Sequence, residues 1–366
     1  MFQYLITIEP LGLLYGSAGR FLSPDNLVGR SGNSFPPSAV TLAGVFAHAL
    51  GKNKLADLTV AGAFWAKCDN VQNFYVPTPQ TYLVDKVTKQ VSDRLFWHEG
   101  KWKTSTKIKA AGKVEDSTEE DKGAEGKFES GTWMAIDDWG KDKPKVATNP
   151  WEFLPHLHPK LCDDERRAYI KDLGNGKTQG GLFLENAVQL DPEVCLVYLS
   201  TEKLDDGWYR FGGEGHMVEI KSHSLTKESK INTLLNPPLD KSCASSTPSI
   251  GKSFALITPA VWGSNRLSLR VPGVQTDKGW EMVWQVEAML CDRPTTYRYR
   301  RGSHLSRGRY AVPAGAVYVL DREQKPWHKW PPDWFPEDGD DLRLKAWGCG
   351  LALPLPLNVL SVEEAK

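Results

Sequence analysis

The sequence predicts an α+β fold built from two related units. The chain has 366 residues, of which 40% are hydrophobic, and this is enough for two globular cores. Each half opens with an apolar strand that runs into a proline turn, at Glu9-Pro10 in the first half and Thr258-Pro259 in the second. Each half later carries a glycine-rich loop followed by a strand. A repeated α+β unit explains this similarity.

The first unit opens with a strand, a long loop and a helix. Hydrophobic residues alternate in FQYLITIEP, so Ile6 and Ile8 are expected on one face and Leu5 on the other. A glycine-rich connection follows. Ser38 then has the character of a helix N-cap, and the next segment, AVTLAGVFAHAL, is apolar at helical spacing.

Composition divides the rest of the chain. We predict an N-terminal domain over 1–222, a linker over 223–250 that contains Pro237-Pro238, and a strand-rich C-terminal domain over 251–366. Residues from about 85 to 150 carry charge without hydrophobic periodicity, which predicts a projecting and partly disordered insertion. The segment ERRAYIKDL, 165–173, predicts a helix.

A local basic segment is the main functional signal. The whole chain has a formal net charge of +0, yet residues 293–309 contain six arginines and no acidic residue, so the remaining residues sum to −6. Strand periodicity places Tyr297 and Tyr299 on one side and Arg298 and Arg300 on the other, with a turn at Gly302-Ser303.

Arginine and tyrosine in this pattern indicate a nucleic-acid surface. Guanidinium groups bind phosphate oxygens, and aromatic rings stack on unpaired bases. The alternative is an exposed hairpin whose arginines pair with acids elsewhere in the fold, and charge alone does not separate the two. The candidate RNA-binding residues of the hairpin are Tyr297, Arg298, Tyr299, Arg300, Arg301, His304, Arg307 and Arg309.

A second candidate is the glycine loop FGGEGH. Glycines at 212, 213 and 215 allow backbone N–H groups to approach phosphates, because they carry no Cβ. Glu214 repels phosphate but accepts from a base edge, a 2′-hydroxyl or an arginine, whereas a simple tight turn is the alternative. His216 is a candidate for base stacking or an ordinary surface residue. Arg20 and Arg30, in the loop after the first strand, are candidates for contacts to the RNA backbone.

Several segments resemble the glycine-loop RNA-binding subunits of CRISPR effector complexes, the RAMP proteins, and most closely the third subunit of the Cmr (type III-B) complex. The segments are PLGLLYGSAGRF, FPPSAVTLAGVFAHAL, YVPTPQTYL, FGGEGHMVEI, ALITPAVW, RGRYAVPAGAVYVL and WGCGLALPLP. The FGGEG and VPAGAVY segments are the more specific ones. Together they span nearly the whole chain apart from 85–150 and the tryptophan loop 325–336.

The resemblance implies two ferredoxin-like (RRM-like) domains with glycine-rich loops. It also implies an RNA-binding role without catalysis, in which the protein contacts the repeat-derived 5′ tag of the guide RNA (crRNA). The implied protein partners are the large Palm-domain subunit and the backbone RAMP subunits, in a cytoplasmic ribonucleoprotein without cofactors.

Catalysis is an alternative. RAMP relatives include metal-independent RNA endonucleases that use a histidine, and His304 lies in the basic hairpin. A metal site at His156, His158 and Cys162 matches no ligand spacing that we recognise. Phosphate-binding and dinucleotide motifs are absent, because GNGKTQGG lacks their spacing.

A protein scaffold that does not touch RNA is the third alternative, motivated by the proline- and tryptophan-rich loop WHKWPPDWFP. Salt dependence separates it from RNA binding. Six arginines on single-stranded phosphates predict a slope of log affinity against log salt near about −4, at roughly −0.7 per contact. The six cysteines show no CxxC spacing, and no signal peptide or long apolar run is present, so an intracellular protein with reduced thiols is expected.

Overall fold

The structure is a computed structural model. It describes residues 2–15, 35–51, 55–104, 127–159, 162, 167–176, 178–180, 182–212, 215–237, 248–264, 266–301, 304–336 and 344–357. For residues 156–158, 171–172, 178–180, 182–185, 300–301 and 304–305, the description covers the backbone alone.

Strands dominate the described residues. The α-helices among these residues are α1 (Ala39–Leu50) and α2 (Lys230–Leu235), and short 3-10 helices cover Val71–Asn73, Ile136–Asp138, Trp327–Lys329 and Pro332–Trp334. Strands of the first half are β1 (Tyr4–Pro10), β2 (Leu14–Tyr15), β3 (Val60–Lys67), β4 (Tyr75–Pro77), β5 (Tyr82–Val84), β6 (Val91–His98), β7 (Lys101–Thr104), β8 (Trp133–Ala135), β9 (Val146–Ala147), β10 (Trp151–Pro159), β11 (Ile170–Asp172), β12 (Thr178–Gly180), β13 (Leu182–Leu190), β14 (Val194–Ser200), β15 (Gly207–Phe211) and β16 (His216–Ser224). Strands of the second half are β17 (Ser253–Leu256), β18 (Trp262–Gly263), β19 (Ser268–Leu269), β20 (Gly273–Thr276), β21 (Gly279–Met282), β22 (Val286–Leu290), β23 (Thr295–Tyr297), β24 (Arg300–Arg301), β25 (His304–Leu305), β26 (Arg309–Ala311), β27 (Val317–Leu320) and β28 (Ala352–Pro354).

The first half is organised around an eight-stranded sheet of order β15-β16-β1-β14-β3-β4-β8-β9. Its central strands pair antiparallel, and β1 lies between β14 and β16. Leu42 and Phe46 of α1 lie in one buried cluster with Ile6 and Ile8 of β1, while Leu5 lies in a second cluster on the other face. The alternation predicted for the first strand and the helix that follows Ser38 are therefore confirmed.

The second half is organised around a four-stranded antiparallel sheet of order β22-β27-β17-β28. An aromatic cluster fills its core, in which Trp284 has ring centroids within 5.5 Å of Phe254, Trp262, Tyr318 and Trp330. The tryptophan loop folds onto this cluster rather than projecting from the chain. Its mutual packing removes apolar surface from water.

Several hydrogen bonds join the halves, whose buried residues share one core cluster. Trp139 Nε1 donates to Pro354 O at 2.8 Å, and the Arg94 guanidinium donates to Pro356 O at 2.7 Å. Arg94 is buried, and its guanidinium lies over the rings of Tyr82 and Phe96, at 4.9 and 5.0 Å from their centroids. Arg94 also pairs with Asp142 Oδ1 at 3.2 Å, so a carboxylate, carbonyl acceptors and aromatic faces together hold the buried charge, as a desolvated guanidinium requires.

The structure differs from the sequence-based predictions in three segments. Residues 85–150 contribute strands β6–β9, and two of these extend the eight-stranded sheet, while the charged middle of the predicted insertion, 105–126, lies outside the described residues. Residues 223–250 include α2, whose Ile231 and Leu235 are buried in the shared core. The helix predicted over 165–173 is wrong, because Ile170–Asp172 is a strand paired with Thr178–Gly180 across the turn of GNGKTQGG. The division into two domains remains a prediction.

Neither α-helix among the described residues is long and apolar enough to cross a membrane.

Helix capping supplies a first prediction. The Ser229 side chain accepts a hydrogen bond from Asn232 N at the start of α2, whereas Ser38, at the start of α1, makes no side-chain cap bond. We expect Ser229→Ala to lower the free energy of unfolding by about 1 kcal/mol. Ser38→Ala is the matched control and should change it by less than about 0.5 kcal/mol. Urea unfolding midpoints measure both, and equal shifts would contradict the assignment.

Candidate nucleic-acid interface

The basic segment forms the predicted hairpin. Strand β23 pairs with β26, and β24 pairs with β25, so that Tyr297 faces Arg309 and Arg301 faces His304. Ser306 and Tyr299 are hydrogen-bonded across the middle of the hairpin. Ser306 N donates to Tyr299 O at 2.9 Å, and Ser306 Oγ accepts from Tyr299 N at 3.0 Å. Gly302 and Ser303, the predicted turn, lie outside the described residues.

Both predicted stacking rings pack toward the core, Tyr299 buried and Tyr297 half-buried. Tyr299 is 7% exposed, and its ring meets Trp347 edge-on, with centroids 5.5 Å apart. Tyr297 packs against the same core, and burial raises the pKa of its hydroxyl. Arg309, opposite Tyr297, is only 3% exposed. The base-stacking role predicted for Tyr299 and the phosphate contact predicted for Arg309 do not fit this burial, because the core covers both side chains. Tyr297 is half-buried, and the role predicted for it remains a prediction.

Other arginines of the segment reach solvent. Arg293 and Arg307 are exposed, and Arg298 is half-buried with its Nε donating to Ser306 O at 2.8 Å. Arg300, Arg301 and His304 are described by their backbone alone, so their predicted contacts remain predictions. Without Arg309, five arginines of the segment remain as candidates, which lowers the expected salt slope to about −3.5.

Sequence reasoning missed Tyr310. Its side chain is 53% exposed between the buried Arg309 and Ala311, and it pairs with the exposed Thr296. The signal was present, because two-residue alternation that turns Arg309 inward must turn Tyr310 outward.

The glycine loop is a tight hairpin between β15 and β16. Gly212 and Gly215 have φ of +77° and +67°, and Gly215 N donates to Gly212 O at 3.2 Å. These positive φ values favour glycine whether or not a phosphate approaches. Gly213 and Glu214 lie outside the described residues, as do Arg20 and Arg30, while His216 is half-buried where β16 begins. The RNA contacts predicted for this loop remain predictions.

Other glycines of the resembling segments serve packing. A Cβ on Gly315, in VPAGAVY, would lie 2.9 Å from Thr78 O, and Gln80 N donates to Gly315 O at 2.9 Å. The segments YVPTPQTYL and VPAGAVY therefore meet where the two halves join. A Cβ on Gly348, in WGCG, would overlap Ala61 of β3. These glycines permit close backbone approach rather than contact with a ligand.

The structure gives no side-chain positions for the histidines of the catalytic and metal-binding alternatives. The side chains of His304, His156 and His158 are not among those described. Across the described side chains, no group of three His, Cys, Asp or Glu residues comes together as a metal site. The tryptophan loop that motivated a scaffold role packs on the chain's own core, with Trp327 stacked on Phe2 at 6.1 Å between centroids.

Comparisons with known proteins return structural similarity alone. No family model and no curated protein matches the chain. Among solved structures, the chain is similar to chains of the type III-B Cmr-beta complex bound to cognate target RNA, with and without AMPPnP. The first of these matches has 11% identity and a TM-score of 0.44, the second 12% and 0.43, and each covers 86% of both chains. It is also similar to a chain of the Csm3-Csm4 subcomplex of the type III-A CRISPR-Cas interference complex, at 9% identity and a TM-score of 0.35, over 87% of this chain and 93% of that one. These neighbours come from both type III-B and type III-A complexes.

Proposed function

We propose that this protein is a non-catalytic RNA-binding subunit of a type III CRISPR ribonucleoprotein. The observation that carries the proposal is the exposure of Arg293 and Arg307 in a segment of the chain without acids. The inward tyrosines anchor that segment to the core. A rigid basic platform of this kind binds phosphates at low ordering cost.

The finer proposal follows the sequence resemblance. The protein is the third Cmr subunit of a type III-B complex, holds the 5′ tag of the guide RNA and docks the large Palm-domain subunit beside the backbone RAMP subunits. The complex would work in the cytoplasm.

Two ferredoxin-like domains belong to this proposal, and strand order supports them. Counting only β1, β3, β14 and β16, the first sheet has the antiparallel order 4-1-3-2, which is that of a ferredoxin-like βαββαβ unit. Strands β17, β22, β27 and β28 of the second sheet have the same order. The first crossover, from β1 to β3, contains α1, whereas the corresponding crossover from β17 to β22 runs through short hairpins in its described residues.

The test is binding of the full-length protein to a labelled guide RNA with and without its repeat-derived 5′ tag, measured by gel shift across salt concentrations. Tag-dependent binding that weakens with salt while the RNA stays intact is the expected result. Cleaved RNA would instead favour the endonuclease alternative and His304 as its acid or base. Absence of binding at low salt would reject the RNA-binding proposal for the isolated chain and favour a scaffold.

A further inference from the structure

Strand β15 forms an edge of the eight-stranded sheet. It pairs with β16 on one side, and no other described strand pairs with it on the other. Tyr209 and Phe211 turn one face of β15 toward the buried cluster that includes α1. Trp208 and Arg210 lie on the opposite face, where both reach solvent, and Trp208 is 69% exposed. A large exposed ring at a sheet edge is typical of a surface that another chain covers.

The outer edge of β15 carries backbone groups that β16 does not use. Leu11 N donates to Met217 O at 3.1 Å, so the backbone N–H and C=O groups of Met217 face β1. Backbone groups alternate in direction along a strand, so those of Val218 face β15 and meet Tyr209. Trp208, one position before Tyr209, therefore points its N–H and C=O groups away from the sheet.

Acidic side chains lie beside Trp208 on the same face of the sheet. Glu219 is directly opposite Trp208 on β16, and Glu9 is opposite Glu219 on β1. Lys221 Nζ lies 2.8 Å from Glu219 Oε2 and 3.8 Å from Glu9 Oε1. The hydrogen bond to Glu219, and the nearby charges of Glu9 and Asp206, raise the pKa of Lys221. Three carboxylates thus surround one ammonium group, which gives this part of the surface a net charge of −2.

This surface fits a basic, extended segment of a protein. A strand added beside β15 bonds to the outward N–H and C=O groups of Trp208. Cβ atoms directly opposite each other on paired strands are about 4.5–5.5 Å apart, so one guanidinium can lie on the Trp208 ring and pair with Glu219. The acids repel RNA phosphates, although Arg210 adds one positive charge at the far end of the strand.

We propose that the β15 edge binds an extended, arginine-bearing segment of a partner protein, with Trp208 as the anchor for a guanidinium and Glu219 as its counter-ion. The segment adds a strand to the sheet, so its backbone supplies affinity and its alternate side chains supply specificity. The inference goes beyond the proposed RNA-binding function and does not depend on it, because the arginine hairpin contributes no residue to this surface.

Anisotropy of the full-length protein with a short fluorescein-labelled peptide, in which arginine and valine alternate, tests the anchor. The peptide should bind the wild type, and Trp208→Ala should weaken binding about tenfold, as the loss of an aromatic anchor does. Trp208→Phe keeps a ring and should weaken binding about threefold or less. Met282→Ala is the matched control, because Met282 is an exposed apolar residue on β21, and it should bind as the wild type does. Failure of the peptide to bind the wild type, or equal binding by Trp208→Ala, would overturn the inference.

Altered peptides and Glu219→Gln test the charge and the backbone contacts. Glu219→Gln should weaken binding about threefold at low salt and less at high salt, because salt screens a partly exposed ion pair. The same peptide with glutamate in place of arginine should not bind. Methylation of the arginine amides alone and of the valine amides alone should have unequal effects, because only one set of amides faces β15. Equal losses from the two methylated peptides, or binding of the acidic peptide, would contradict strand addition by a basic segment.

Hydrogen exchange of the wild-type protein keeps the test independent of any folding defect in a variant. Binding of the arginine-valine peptide should slow exchange of the Trp208 amide, which faces outward from the sheet. Unchanged exchange there at saturating peptide would reject strand addition at β15.

RNA binding separates this inference from the proposed function. Trp208→Ala should bind labelled single-stranded RNA as tightly as the wild type does. A weaker complex would make this face an RNA site and overturn the inference. If the wild type binds the basic peptide but no RNA, the proposed function fails while the inference stands.

Discussion

Replacing Arg298, Arg300 and Arg301 together by alanine should lower the affinity for guide RNA by about 100-fold at moderate salt. The estimate takes about 1 kcal/mol for each lost phosphate contact, with about 1.4 kcal/mol per tenfold. The slope of log affinity against log salt should become less steep by about 2, because each contact to single-stranded RNA contributes roughly 0.7. Anisotropy titrations from low to high salt give both quantities.

Replacement of the same three residues by lysine is the control for this experiment. Lysine keeps the positive charge but loses the two-pronged geometry of the guanidinium, so the slope should be retained while part of the affinity is lost. Arg298 Nε also donates to Ser306 O, so thermal melting must show that the hairpin variant is folded. A folded alanine variant with wild-type affinity would remove these three arginines from the interface.

Gly348→Ala should destabilise the folded protein more than alanine at a glycine that has open space around it, such as Gly140. Gly348 has φ of +70°, and its new Cβ would overlap Ala61 and lie 2.8 Å from Val60 O. The carbonyl of Gly348 is also held by the Thr258 hydroxyl at 2.5 Å, so the backbone has little freedom to move away. A left-handed residue with a Cβ costs about 1–2 kcal/mol, and overpacking costs about 1–3 kcal/mol. We expect a loss of about 2–5 kcal/mol in the free energy of unfolding, measured by urea denaturation.

Gly140→Ala is the matched control for that experiment. Gly140 has a similar φ of +86°, but a Cβ there meets no atom within 4 Å. Backbone strain alone should cost about 1–2 kcal/mol. A Gly348→Ala variant no less stable than Gly140→Ala would show that the junction between β3 and the WGCG segment is not tightly packed.

Local patterns predicted the local elements well. The helix of AVTLAGVFAHAL and the alternating strand near the N-terminus were both predicted, because their periodicity reflects contacts made within one element. The helix predicted over 165–173 was wrong, because the pairing of Ile170 with Gly180 outweighs the weak preference of a charged segment. Residues 223–250 read as a linker from their polarity, yet α2 packs into the shared core.

The glycine-rich segments show where sequence reasoning stops. A glycine in VPAGAVY or WGCG is equally compatible with a phosphate-binding loop and with close packing. Contacts with Thr78 and Ala61 decide for packing, and each partner lies more than 200 residues away along the chain. Sequence spacing carries no information about such distant neighbours.

The sequence by itself determined that residues 293–309 are locally basic and free of acids and that they alternate as a strand with a turn, because charge and periodicity are properties of the segment. Only the tertiary structure decided which face of this hairpin meets solvent. Trp347 provides the aromatic partner that draws Tyr299 inward, and the alternation then leaves Tyr310 outside. Burial depends on what the rest of the chain brings to each face, so the direction of a ring is a property of the folded protein.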